Sequence, residues 1–358
     1  MFIYLDHSIL NCIAAEKIPH DTLRSIEGLS LILRSGAHLI SGDQKTLIAI
    51  SNLNDLSLPC RAIFHRAATR RSQVLSILKD VTTYTIVDFG RSNIECAIEN
   101  NKKVIKIPID SFIKLNFQSS SEVVFEDIND NLIYTAVAEW YAKNVLNNKY
   151  LSLTYKKVQG GGNRTYAVYK EKQQEGETFC LCITDSDKKY PTDTAGDTSA
   201  LVREVEDTSM PLSYHLDLDF HEIENLLPLN FLEENSGTAE AKQIISTLKI
   251  AETNGYPEAK LYWDYKKGLR GHYAQENEHY RNYWHGALGV EYNKCASQCT
   301  AKKCECYLIR PWPLKAEVKT ALASNHQISP DCEKLKNLWS EIASVFISWV
   351  IGAPPQKT

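Results

Sequence analysis

Three short stretches of this chain place carboxylates directly after runs that read as strands. In the first, Val123-Val124-Phe125 leads into Glu126, Asp127 and Asp130. In the second, the apolar run Thr178-Phe179-Cys180-Leu181-Cys182-Ile183-Thr184 ends in Asp185-Ser186-Asp187. The third is His221-Glu222-Ile223-Glu224-Asn225. In an open α/β sheet, ligand sites form at the carboxyl ends of the strands, so residues in such positions can meet in space. Carboxylates held together repel one another, and some stay protonated unless a cation joins them. Oxygen-only donor sets suit Mg²⁺ or Mn²⁺ rather than zinc, and ions held in this way can activate water for attack on a phosphodiester. Asp217 and Asp219 form a further Asp-x-Asp pair. They lie inside the run leading to His221, where alternation along a strand gives them a structural role.

A second constellation is Cys295-x-x-x-Cys299-x-x-x-x-Cys304-x-Cys306, set among Lys294, Lys302 and Lys303. Four thiolates can close a tetrahedral structural Zn²⁺ site, an outcome favoured over two disulfides in a cytoplasmic protein. The spacing departs from paired Cys-x-x-Cys, so His285 or Cys332 could replace one ligand, and four surface thiols are the alternative. Cys12, Cys60, Cys96, Cys180, Cys182 and Cys332 are expected to be reduced thiols, mostly in the core.

The elements that must position these groups follow from periodicity. The chain has 358 residues, 43% of them hydrophobic, enough for two or three cores. Residues 1–117 alternate strand-like runs (2–5, 38–40, 84–87 and 104–107) with helical ones (8–17 and 22–33), which predicts an N-terminal α/β domain with a largely parallel sheet. The polar stretch Gln118-Ser119-Ser120-Ser121 marks a boundary. Residues 118–270 then form a second α/β unit, with a strand at 122–125, a helix from about Asp130 to Leu146 and a turn at Gly160-Gly161-Gly162. Residues 271–358 are predicted to be a mostly helical extension carrying the cysteines and a final helix.

The formal charge of −4 and pI near 6.2 exclude bulk electrostatic coating of nucleic acid and leave room only for a local basic groove. Met1-Phe2-Ile3-Tyr4-Leu5-Asp6 has no basic leader and no continuing apolar core, so no secretory signal is expected. The run Leu338 to Ile351 is broken by Ser340, Glu341, Ser344 and Ser348 and is shorter than the ~20 residues a spanning helix needs. It reads as a buried helix of a cytoplasmic protein with no membrane partner.

Taken in order, Glu126, Asp130, Gly160-Gly161-Gly162-Asn163, Asp185 with Asp187, and Glu222-Ile223-Glu224-Asn225 resemble the Toprim domain. The version most similar is that of overcoming-lysogenization-defect nucleases and related phage-defence proteins, and the agreement covers about a third of the chain. The resemblance implies a central Toprim domain, with a parallel sheet flanked by helices, acting as a Mg²⁺- or Mn²⁺-dependent endonuclease on DNA or RNA. It implies Glu126, Asp130, Asp185, Asp187, Glu222 and Glu224 as metal ligands and Glu126, Asp185, Asp187 and a downstream lysine as catalytic residues. Lys266 is preferred over Lys267 for that lysine. The family often has glycine where this chain has Asp127, which is either an extra ligand or part of a solvent-facing turn. Antiviral defence and a separate ATPase partner also follow from the resemblance. Gly160-Gly161-Gly162 leads into Asn163-Arg164, without the lysine-hydroxyl pair of a phosphate loop. Topoisomerase and primase activities are disfavoured because their companion segments are missing.

Other readings stay open. The acidic site could be degenerate, leaving a regulatory subunit. Asp6, Asp43 and Asp88 faintly resemble the strand-end acids of PIN-type ribonucleases, with helix caps or turn acids as the plain alternative and a sensing or docking role for the domain otherwise. Arg61, His65, Arg66, Arg70 and Arg71 could form one phosphate-touching helix face, or a solvated one. Lys156 and Lys157 could steer a nucleic-acid backbone towards the metals. The aromatic stretch from His272 to His285 could stack bases, though packing is favoured. Oligomeric state is left open.

Overall fold

Continuous apolar strands need cover on both faces, and this chain supplies it by alternating them with amphipathic helices. A computed structural model describes residues 1–14, 18–148, 151–236, 238–289, 295, 299, 304–312, 316–324 and 328–355. The first sheet contains β1 (Phe2–Leu5), β2 (Leu39–Gly42), β3 (Thr83–Asp88), β4 (Glu95–Glu99) and β5 (Lys102–Pro108) in the order β2-β1-β3-β5-β4. All neighbours are parallel except β4, which runs antiparallel to β5. The helix His20–Ser35 packs Ile26, Leu29 and Ile32 inwards and stops at Gly36, whose φ of 74° supplies the left-handed cap. Of the helix expected over 8–17, Ile9–Ile13 is helical, and residues 15–17 lie outside the described set.

The second sheet contains β6 (Ser121–Phe125), β8 (Tyr155–Gln159), β9 (Cys180–Thr184) and β10 (Ser213–Asp217), all parallel, in the order β10-β9-β6-β8. The short β7 (Ser152–Leu153) pairs elsewhere. After β6 the chain crosses through the helix Asn131–Tyr141, extended by a π turn at Ala142–Leu146, and returns as β8 on one side. It then places β9 on the other side of β6. The strand order therefore reverses between β6 and β9, the place beyond whose carboxyl ends open α/β sheets form their ligand crevice.

The later chain is mainly helical, with a two-residue ladder between β11 (Leu269–Arg270) and β12 (Tyr307–Ile309). The helix Glu333–Val350 spans both sheets. Phe346 lies 5.7 Å from the Tyr134 ring, Trp339 lies 5.4 Å from Trp140, and Ser348 Oγ accepts from Thr82 N at 2.8 Å beside the first sheet. Just beyond it, β13 (Ile351–Gly352) pairs antiparallel with β7. Burying each such large side chain contributes roughly 1.5–3 kcal/mol. The chain is thus mixed α/β, with parallel sheets flanked by helices and a helical C-terminal region. Among the described residues no helix is long and apolar enough to cross a membrane.

Candidate functional site

The crevice between β6 and β9 is where the acids meet. Glu126 follows β6, and the glycine turn grips its main chain: its carbonyl accepts from Gly161 N at 3.1 Å, Gly162 N at 3.3 Å and Gln159 Nε2 at 3.1 Å. A Cβ at Gly160 would lie 2.7 Å from Phe125 O and 2.4 Å from Thr165 Oγ1, so only glycine allows this approach. Glu126 Oε1 accepts from the Thr198 hydroxyl at 3.4 Å, near the start of the helix Asp197–Val205. Its Oε2 is buried and has no partner.

Asp127 lies in a solvent-facing turn. It caps the turn Ile128–Asp130, accepting from Asn129 N at 2.9 Å while its own N–H donates to Asp130 Oδ2 at 3.1 Å. That exchange fixes Asp130 at the crevice. Asp185, straight after β9, accepts from Ile223 N at 3.1 Å, which draws the Glu222–Glu224 segment to the same place. Asp187 has φ 54°, a left-handed conformation that costs a non-glycine residue about 1 kcal/mol or more, and it is held by His221 O through its N–H at 2.9 Å. Its charge raises the pKa of Glu126 after the larger effect of burial.

Glu222, expected as a metal ligand, already has partners on both oxygens, and it also groups with His221 and Asp264 in a set whose donor atoms lie within 4.8 Å of one another. Its Oε1 accepts from Tyr265 N at 2.8 Å and its Oε2 from Lys266 Nζ at 3.0 Å, so both oxygens are engaged by the 264–268 turn. Glu224 shares Lys266 at 3.4 Å through Oε1 and keeps a buried, partnerless Oε2. Lys266 Nζ contacts Glu222 and Glu224, whereas Lys267 Nζ lies 3.9 Å from Asp264. Sequence reasoning missed the pair behind this turn. Asp264 Oδ1 accepts from the N–H groups of both Lys266 and Lys267, and Oδ2 lies 3.4 Å from His221 Nε2. The Asp-Tyr-Lys-Lys-Gly run is the one local signal for it, because Asp commonly accepts from N–H groups two and three residues on.

The electrostatics express this crowding. Burial, then the charge of Glu224, pushes Asp130 up to about 7, and the same two causes push Glu222 up to about 7. Desolvation, followed by Asp130, Glu224, Glu126 and Glu222, holds Asp185 well above the carboxylate range. Burial opposes the Lys266 ammonium, but Glu222 and Glu224 outweigh it and raise its pKa. Burial likewise lowers His221, yet its bond to Asp264 and the charge of Glu222 leave it raised. The acids neighbour one another without three of their oxygens closing within 4.8 Å. Among the described residues only Cys295 with Cys299, Cys304 and Cys306, and His221 with Glu222 and Asp264, form so tight a group. A hard ion that keeps several waters and takes one or two carboxylates directly suits an open set of this kind.

Some of the remaining expectations are corrected, while the favoured packing of the aromatic stretch and the structural ties of Asp217 and Asp219 are met. Lys156 and Lys157 pair in register with Glu122 and Val123, towards the start of β6 and away from the crevice, and Lys156 lies 3.8 Å from Glu122. In the expected basic row, Arg61 and Arg71 direct their Nε donors to the backbone, at Ser51 O (3.1 Å) and Gly42 O (2.8 Å). Cys96 is exposed on β4, and Cys12 and Cys332 are half-buried, leaving Cys60, Cys180 and Cys182 as core thiols. The aromatic stretch packs rather than opens, with Tyr280 and Trp284 buried and Trp284 Nε1 bonded to Lys189 O. Asp217 is tied to Ser199 and Arg203, and Asp219 to Lys188. Compared with known proteins, the chain matches no family model, no curated protein and no solved structure.

Proposed function

We propose that this chain is a divalent-metal-dependent nuclease of the Toprim type, hydrolysing the phosphodiester backbone of DNA or RNA at the crevice between β6 and β9. The observation that carries this reading is the pair of buried carboxylate oxygens without partners, Glu126 Oε2 and Glu224 Oε2, both in the charge environment of Asp185. Burying an unpaired charge is expensive, and a cation removes that cost. Glu126, Asp130, Asp185 and Glu224 would hold Mg²⁺ or Mn²⁺, with Asp187 beside Glu126. When bound, such an ion lowers the pKa of its water and stabilises charge on the phosphate.

The chain's own groups supply the rest. Glu222 orients Lys266, whose side chain remains 59% exposed and can neutralise a phosphate oxygen on the open side. The His221–Asp264 contact keeps the Lys266 turn and the Glu222 segment together. On the same resemblance, the protein serves antiviral defence and takes its ATPase from a separate chain. A competing reading, a salt-bridged crevice with no catalytic role, is favoured by the two ion pairs of Lys266.

Incubation of the purified chain with plasmid, linear DNA and total RNA, in Mn²⁺, in Mg²⁺ and in chelator, separates these readings. Metal-dependent loss of one substrate supports the nuclease. Intact substrates in every arm, including arms with added ATPase partners, favour the competing reading.

A further inference from the structure

We infer that Cys295, Cys299, Cys304 and Cys306 bind one structural Zn²⁺, and that this ion fastens the β11–β12 ladder and, through it, the Lys266 turn. The four Sγ atoms lie within 4.8 Å of one another, with Cys295 to Cys304 at 3.4 Å and Cys299 to Cys306 at 3.8 Å. A tetrahedral zinc with Zn–S near 2.3 Å sets its sulfurs about 3.8 Å apart, whereas a disulfide requires about 2.05 Å. The observed spacing is that of ligands around a shared centre. Cys304-x-Cys306, an awkward spacing on paper, brings both sulfurs into the group, so neither His285 nor Cys332 is needed.

Weak S–H donors do not explain why four polarizable thiols gather at one point, two of them only 6% and 2% exposed. A metal does: four thiolates on one divalent ion leave a net charge of about −2, and the sequence sets Lys294, Lys302 and Lys303 among them. The surrounding main chain ties the cluster to the second sheet's crevice. Cys306 O accepts from Gly271 N at 2.6 Å, directly after β11, and Cys295 O accepts from Gln275 Nε2 at 3.3 Å. β12 begins one residue after Cys306 and pairs Ile309 with Leu269. Gly268, at φ 67°, lies so close to the far end of β12 that a Cβ there would come 2.6 Å from Ile309 O. Trp312 N then donates to Tyr265 O at 2.8 Å. A two-residue ladder is marginal by itself. Closed by zinc at one end, it gives Tyr265-Lys266 a fixed support at the other.

The test is elemental analysis of the full chain, purified under reducing conditions, together with its Co²⁺-exchanged form. About one zinc per chain is expected, with sulfur-to-cobalt charge-transfer bands and the intense d–d bands of a tetrahedral thiolate site. Cys304→Ser should lose the zinc, and Cys96→Ser should keep it. Because Cys304→Ser can also misfold, the cobalt spectrum of the unaltered chain decides the ligand set independently. Zinc well below one equivalent with four reactive thiols, disulfides found by mass spectrometry, or iron in place of zinc would each overturn the assignment. Removing the metal should also speed amide exchange across Tyr265–Arg270 by about tenfold or more, and unchanged exchange would sever the link to Lys266. None of these readouts uses a nucleic acid. A zinc-bearing chain that cuts nothing defeats the nuclease reading alone, and a cutting chain without zinc defeats this inference alone.

Discussion

The two sheets make the same architectural offer and use it differently. In the first, Asp6, Asp43 and Asp88 stand at the carboxyl ends of the adjacent parallel strands β1, β2 and β3. In the second, Glu126 and Asp185 stand after β6 and β9. Yet each acid of the first sheet is satisfied at home. Asp43 caps the helix Gln44–Ser51 through Lys45 N and Thr46 N, Asp88 accepts from Gly90 N and pairs with Arg91, and Asp6 accepts from Ser8 N beside His7. In the second sheet the acids crowd one another, Glu126 and Glu224 each retain a partnerless oxygen, and burial with neighbouring charge raises the pKa of Glu126, Asp130, Asp185 and Glu222. A strand-end carboxylate is therefore no sign of a site by itself. The second sheet differs because its acids share one space.

The contrast can be broken most decisively by neutral isosteres. Asp185→Asn or Glu126→Gln should lower metal-dependent cleavage about a thousandfold, ~4 kcal/mol of barrier, with the melting profile retained. Asp6→Asn and Asp88→Asn should leave the rate within about twofold. Comparable rates for the two sets would erase the distinction.

A pH series sharpens it next. Unfolded carboxylates ionise near 4, whereas Asp130 and Glu222 in the folded, metal-free chain are pushed up to about 7. Between those values the folded chain keeps protons that the unfolded chain has released. This contribution is therefore full below about pH 4 and fades as pH rises through about 7. The melting temperature of chelated protein, taken relative to Asp130→Asn, should fall over that window. Mg²⁺ at a hundred times its Kd should return about 2.7 kcal/mol at neutral pH. A difference that is flat with pH would contradict the shared-charge account.

Matched glycines give a smaller, selective effect. A Cβ at Gly160 would meet Phe125 O at 2.7 Å, and one at Gly42 would meet Leu5 O at the same 2.7 Å. Either Gly→Ala change should cost roughly 1–3 kcal/mol in chemical denaturation. Only Gly160→Ala should also slow cleavage, by about tenfold or ~1.4 kcal/mol, because it displaces Glu126. The smallest change is Asp43→Ala, expected to cost ~1 kcal/mol as a lost cap and to leave cleavage untouched in the same assay.

What the sequence disclosed follows the reach of each interaction. β9 was legible because all five of its residues are buried, so they form an unbroken apolar run. β4 was not, since Glu95-Cys96-Ala97-Ile98-Glu99 is mostly exposed and owes its conformation to pairing with β5. The acids could be read from their positions after strands. The partners of Glu222 could not, because Tyr265 and Lys266 lie more than forty positions away. Periodicity placed the arginines along the helix Leu58–Leu75 but carried no information on whether their guanidinium groups turn outward or fold back onto backbone carbonyls. Lys156 shows the same limit along a strand, where alternation is visible and the end nearest the crevice is not.

The helix Glu333–Val350 supports the acidic region from a distance. Its Trp339 Nε1 donates to Leu226 O at 3.0 Å, two residues past Glu224, and its Phe346 ring lies 6.5 Å from that of Phe125, next to Glu126. Both walls of the acidic region thus lean on one distant element, so damage along that helix would be felt at the acids without touching them.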